Sequence, residues 1–77
     1  MPKLPVVTSK ECVALIERMG FTRYHQVGSH AQFKHLDGRR LTIPVHAGKE
    51  LSPKTLKSII SDTGVSVEDF IMLLKNR

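Results

Sequence analysis

Apolar residues change their spacing twice along this 77-residue chain. Cys12, Val13, Ile16 and Met19 recur at helical intervals behind Thr8 and Glu11, a capping-box pair, and Gly20 closes the segment. From Phe21 to Val45 the pattern shortens to alternating runs interrupted at Gly28-Ser29 and at Asp37-Gly38, both hairpin signals, which predicts three antiparallel strands. Helical spacing then returns. Ser52-Pro53 opens a helix with Leu56, Ile59 and Ile60 on its apolar face and Gly64 at its end, and Ser66 caps a last helix with the stripe Val67, Phe70, Ile71 and Leu74. The expected architecture is α+β, an α-β-β-β-α domain with helices packed on one face of a three-stranded antiparallel sheet. No repeat or second domain interrupts residues 1–77; the folded core is expected at 8–75, with residues 1–7 a flexible arm or a short extra strand.

Register follows from the turns. A two-residue Gly28-Ser29 turn pairs Val27 with His30, His25 with Gln32 and Tyr24 with Phe33, placing the two aromatics together. For Leu41, Ile43 and Val45 to join Phe33 on one face, the second loop must hold an odd number of residues. A three-residue Asp37-Gly38-Arg39 loop then pairs Phe33 with Ile43, Lys34 with Thr42 and His30 with His46. Pro44, lacking an amide donor, suits the edge that the third strand forms. One face is thereby apolar; the other carries Arg23, His25, His30, Gln32, Lys34, Arg40 and Thr42, with Val27 and Leu36 as apolar exceptions. An antiparallel sheet with one wet face is polar there in any case, which accounts for Gln32 and Thr42 better than for the concentration of cations.

Charge sharpens this picture. The net charge is +5, and between Arg18 and Lys57 eight Lys and Arg face only Asp37 and Glu50, with all four histidines in the same stretch. A central basic block favours phosphate backbones as partners. A single cysteine, Cys12, precludes an internal disulfide; it falls on the apolar stripe of the first helix and reads as a small buried hydrophobe rather than a nucleophile. No leader or long apolar run is evident, so the cytoplasm is the expected compartment. A chain this short has one core and argues against a large cofactor cleft, and no cofactor is expected.

The histidines are the candidate chemistry, since imidazole moves protons near neutral pH. Zinc is not expected: His25, His30 and His35 cannot converge from alternating faces, and one cysteine matches no common structural site. Gly48-Lys49-Glu50 falls short of a phosphate-binding loop, although Lys49 could touch phosphate. The last two helices also suggest a helix-turn-helix DNA reader, but the supposed recognition helix would meet DNA with Glu68 and Asp69.

The ordered set Gly20-Phe21, Gly28-Ser29-His30 with Phe33, Pro44-Val45-His46, Gly48-Lys49-Glu50-Leu51 and Thr55-Leu56 before Ile59 resembles the HicA-type toxins of bacterial toxin–antitoxin modules, over about Ser9 to Leu74. Lys54 stands where that family commonly has glycine. The resemblance implies a double-stranded-RNA-binding-like fold, an mRNA interferase activity without a metal, His30 as catalytic residue and a HicB-type antitoxin as partner. Lys34 and Arg40 are then candidates for stabilising phosphoryl charge. His46 would either protonate the leaving oxygen or orient its loop, the structural role being favoured. RNA-binding residues would be Arg23, His25, Gln32, Lys34, Arg40 and Lys49. A non-catalytic RNA-binding module shares every one of these features except turnover.

Overall fold

The computed structural model describes residues 4–45 and 49–76. Its elements run α1 (Ser9–Arg18), β1 (Thr22–Val27), β2 (His30–Lys34), β3 (Arg40–Pro44), α2 (Pro53–Thr63) and α3 (Val67–Lys75). The sheet is a meander in the order β1-β2-β3, antiparallel throughout. The predicted α+β architecture is therefore the observed one, with α3 appended after α2.

The helix boundaries are local chemistry. The Thr8 hydroxyl accepts from the Glu11 amide while the Glu11 carboxylate accepts from the Thr8 amide, so two otherwise orphaned donors are satisfied. α1 ends in a Schellman arrangement: the Gly20 amide donates to the Glu17 carbonyl and the Phe21 amide to that of Ile16. Ser52 and Ser66 cap α2 and α3 by accepting from the Thr55 and Asp69 amides.

Ala31, Phe33, Leu41 and Ile43 project from the sheet into a core shared with Cys12, Leu15 and Ile16 of α1, Leu56, Ile59 and Ile60 of α2, and Phe70 of α3. Fully burying each large side chain contributes about 1.5–3 kcal/mol, so this one layer of contacts is the main force holding the helices to the sheet. Val7 belongs to the same core: it is completely buried, and its carbonyl accepts from the Leu51 amide beside a Thr8–Glu50 bridge.

Two features of the expected register are corrected. The Gly28-Ser29 turn does pair Val27 with His30 and His25 with Gln32, but a bulge between Arg23 and His25 places Arg23, not Tyr24, opposite Phe33. Tyr24 is the extra residue, and its ring moves to the helix-free side. Arg23 moves the other way. Its guanidinium lies 5.4 Å from the Phe33 ring centroid and donates to the Gln26 side chain, so it covers the rim of the core rather than the open face.

The second hairpin has the odd-numbered loop that the apolar pattern requires, but its residues are Leu36-Asp37-Gly38. Phe33 consequently faces Leu41, Lys34 faces Arg40, and His30 faces Pro44 instead of His46. The reason is Gly38, whose φ of +100° suits the third position of such a loop, where the chain turns left-handed; a loop over 37–39 would have put Arg39 there. A shift of two residues preserves which side chains face the core, so the apolar set is unchanged. His46 itself lies outside the described residues.

Candidate nucleic-acid interface

The helix-free face of the sheet is built on β2, whose alternate residues His30, Gln32 and Lys34 point away from the core. His25 and Val27 join them from β1, and Arg40 and Thr42 from β3. No acidic residue occurs in any of the three strands. Phosphate would therefore meet cations and hydrogen-bonding groups there with no repulsion from the sheet itself.

His30 is the first residue of β2 and is exposed, with its backbone fixed between two strands. Val27 lies opposite it on one side and Pro44 on the other, and the Val45 amide donates to the carbonyl of Ser29, the residue before it. Among the described residues its imidazole makes no hydrogen bond or ion pair, so both ring nitrogens are open to an incoming group.

Ser9 draws a further cation toward this end of the sheet. Its hydroxyl donates to the Pro44 carbonyl at 2.8 Å and its amide to the Lys49 carbonyl at 3.2 Å, so the strand bearing His30's partner and the exposed Lys49 meet on the first residue of α1. Lys34 and Arg40 are brought together directly across β2 and β3, but four residues along from His30, roughly 13 Å at the usual rise of a strand. A depression of about 290 Å³, lined by Thr22, Lys34, His35 and Leu36, lies at that far end and is separate from the surroundings of His30.

The basic block of the sequence is only partly available to a ligand. Arg18 donates to the Leu73 and Asn76 carbonyls at the end of α3. Arg39 donates through Nε to both Asp37 carboxylate oxygens and through Nη1 to the Thr63 carbonyl, with its guanidinium 5.2 Å from the centre of the Phe21 ring. That pairing holds the Asp37 carboxyl below its ordinary range, chiefly through the Arg39 side-chain hydrogen bond. With Arg23 over Phe33, three of the eight central cations thus serve the fold.

The other titratable candidates separate cleanly. His35 packs edge-on against Phe21, with ring centroids 5.2 Å apart, and its Nδ1 accepts from the Asp37 amide. It is a packed residue. Cys12 is fully buried, and burial pushes its thiol up to about 12, far from a nucleophile's range. Among the described residues no three His, Cys, Asp or Glu side chains are grouped to hold a metal ion.

Tyr24 is the residue that sequence reasoning missed on this face. Its hydroxyl donates to Gln32 Oε1 at 3.1 Å, and the Lys34 ammonium stands 5.2 Å from its ring centroid. No local signal separates a bulged strand from a regular one here, because either register leaves a plausible alternation of side chains.

Residues 9–65 match the family model described as the HicA toxin of bacterial toxin–antitoxin. A comparison with curated proteins gave no match. The match spans the capped first helix, the whole sheet and α2, so it includes every residue of the face described above.

Proposed function

Since the chain belongs to the HicA toxin family of bacterial toxin–antitoxin modules, we propose that it is an endoribonuclease that cleaves single-stranded or messenger RNA, with His30 as general base and no metal ion. The observation that carries this reading is an exposed imidazole on a sheet face without a single acidic residue.

RNA supplies its own nucleophile. Neutral imidazole accepts the proton of a 2′-hydroxyl as that oxygen attacks the adjacent phosphorus; the P–O bond to the 5′-oxygen breaks, and that oxygen takes a proton. The products are a 2′,3′-cyclic phosphate and a 5′-hydroxyl. No redox step or co-substrate enters the balance. Lys49 sits toward the His30 end and can offset phosphoryl charge, whereas Lys34 and Arg40, four residues along, suit the phosphates of neighbouring nucleotides. Gln32 and His25 lie between these groups. In this reading His46, outside the described residues, either protonates the leaving oxygen or orients its loop.

A toxin of such a module has an antitoxin partner. We assign it as a HicB-type protein that covers His30 and the basic face, by an acidic surface or a rigid domain, in the cytoplasm. A DNA-reading role for α2 and α3 has two observations against it: Glu68 and Asp69 occupy the first turn of α3, and Phe70 is buried in the core.

The test is incubation of a long RNA in chelator with this protein and with its His30→Ala variant, followed by end-group analysis. Cleavage by the parent alone, leaving cyclic phosphate ends, is the expected result. Equal cleavage by both would remove His30 from the chemistry. Binding without cleavage by the parent would leave a non-catalytic RNA-binding module.

A further inference from the structure

We infer that Tyr24 is a stacking platform for one unpaired base of a single-stranded RNA, forming with Gln32 and Lys34 a subsite next to the phosphate handled by His30. The inference rests on the ribonuclease reading and adds to it a residue, a substrate feature and a distance.

The bulge in β1 is what creates the site. In a regular ladder Tyr24 would face the helices beside Phe33; with the extra residue inserted before His25, it lies with Gln32 and Lys34 on the other side. Its exposure is 42%, although an aromatic of this size gains from burial and the core lies directly beneath the same strand pair. The ring is also oriented, because its hydroxyl is tied to Gln32 Oε1. An oriented, accessible aromatic ring on a sheet free of acids is what an unstacked base requires, since every base presents a π-face whatever its identity.

The two neighbours supply the remaining contacts. Gln32, with its oxygen engaged by the phenol, keeps its amide NH₂ group as a donor to a base edge. The Lys34 ammonium stands over the Tyr24 ring, on an exposed and flexible stem. When a base takes that place, the ammonium moves to the adjoining phosphate, where its charge is better matched than over a neutral ring.

Spacing relates the subsite to the reaction. Gln32 is two residues from His30 on the same face, about 6.7 Å by strand rise, comparable with the distance between successive phosphates of an extended strand. The stacked base therefore belongs to a nucleotide immediately neighbouring the scissile linkage. A duplex cannot use the site, because its bases are already stacked and its backbone keeps them out of reach.

The chain contains one tyrosine and no tryptophan, so the Tyr24 ring resonances identify themselves. The experiment titrates the His30→Ala protein, which holds RNA without cutting it, with a single-stranded RNA hexamer and separately with an RNA duplex. It follows the Tyr24 ring protons by NMR and affinity by anisotropy of labelled RNA. Upfield movement with the hexamer and none with the duplex is expected. Tyr24→Leu, introduced in the same background, should bind the hexamer about tenfold more weakly with an unchanged salt slope, while Tyr24→Phe stays near the parent affinity. Lys34→Ala should lower both affinity and salt slope.

Hexamer binding with unmoved Tyr24 resonances would overturn the platform. So would a folded Tyr24→Leu protein of undiminished affinity, while cleavage by the His30-containing protein kept the ribonuclease reading intact. A protein that neither binds nor cuts RNA would bring down both.

Discussion

Gly20 and Gly38 provide a controlled comparison of backbone strain with side-chain crowding. Their φ angles are +103° and +100°, so alanine meets nearly the same backbone penalty at either site, about 1–2 kcal/mol. Their surroundings differ. A Cβ on Gly38 would have nothing within 4 Å, whereas on Gly20 it would sit 2.9 Å from His35 Nε2 and 3.2 Å from Cδ2. The ring cannot retreat without loss: it packs edge-on against Phe21 and accepts the Asp37 amide at 3.1 Å. Losing those contacts adds about 1–2 kcal/mol, on the scale of one hydrogen bond and one aromatic pair. Gly38→Ala should therefore cost about 1–2 kcal/mol and Gly20→Ala about 2–4 kcal/mol. Urea denaturation monitored by far-UV circular dichroism resolves the difference, since a domain this small changes its midpoint by about 1 M per kcal/mol. Against a total stability of about 4–12 kcal/mol, the second variant approaches the limit of folding. The decisive measurement repeats Gly20→Ala in a His35→Ala background, where its cost should fall to that of Gly38→Ala. Equal costs for the two glycines in the parent protein, or an undiminished cost of Gly20→Ala without His35, would refute the crowding.

Four further outcomes can be measured the same way. Thr8→Ala removes the hydroxyl that accepts from the Glu11 amide, leaving the Thr8 amide on the Glu11 carboxylate, and should cost about 1 kcal/mol in urea. Arg39→Ala removes the donor to the Thr63 carbonyl and should cost about 1–2 kcal/mol; Arg39→Lys should not restore it, because one ammonium cannot reproduce the fork shared between Asp37 and α2. The lowered pKa of Asp37 contributes stability that is complete above its ordinary value of 3.8 and disappears as pH falls through the lowered value, so Asp37→Asn should flatten that part of the acid limb of a pH–stability curve. Cys12 works in the opposite direction: its thiol keeps its proton up to about 12 while the unfolded thiol ionises from 9.0, so stability should decline across that interval by at most about 1.4 kcal/mol per pH unit. A thiol reagent at pH 8 should accordingly modify Cys12 in denaturant and leave the native protein untouched.

Eight cations between Arg18 and Lys57 suggested a broad basic surface. Arg18, Arg23 and Arg39 instead meet the Leu73 carbonyl, the Phe33 ring and the Thr63 carbonyl, each from a different part of the chain. Such partners lie up to 58 residues away in sequence, beyond any local pattern. Lys34 and Arg40 were legible as face residues because alternation assigns a side without needing the exact partner.

The sequence alone determined what depends on near neighbours and parity. Caps at Thr8, Ser52 and Ser66, the Gly28-Ser29 turn, and the alternation that sends Ala31, Phe33, Leu41 and Ile43 inward each involve residues a few positions apart, or a period of two that tolerates a shift by two. His30 on the open face followed from the same rules. The two-residue shift of β3 goes back to the local demand of Gly38 for the third place in its loop, whereas tertiary structure decided the bulge at Tyr24 and the diversion of three arginines. Each is a choice between arrangements of similar local cost, settled by which side chains can pack: Arg23 over Phe33, Tyr24 beside Gln32 and Lys34, and His35 against Phe21.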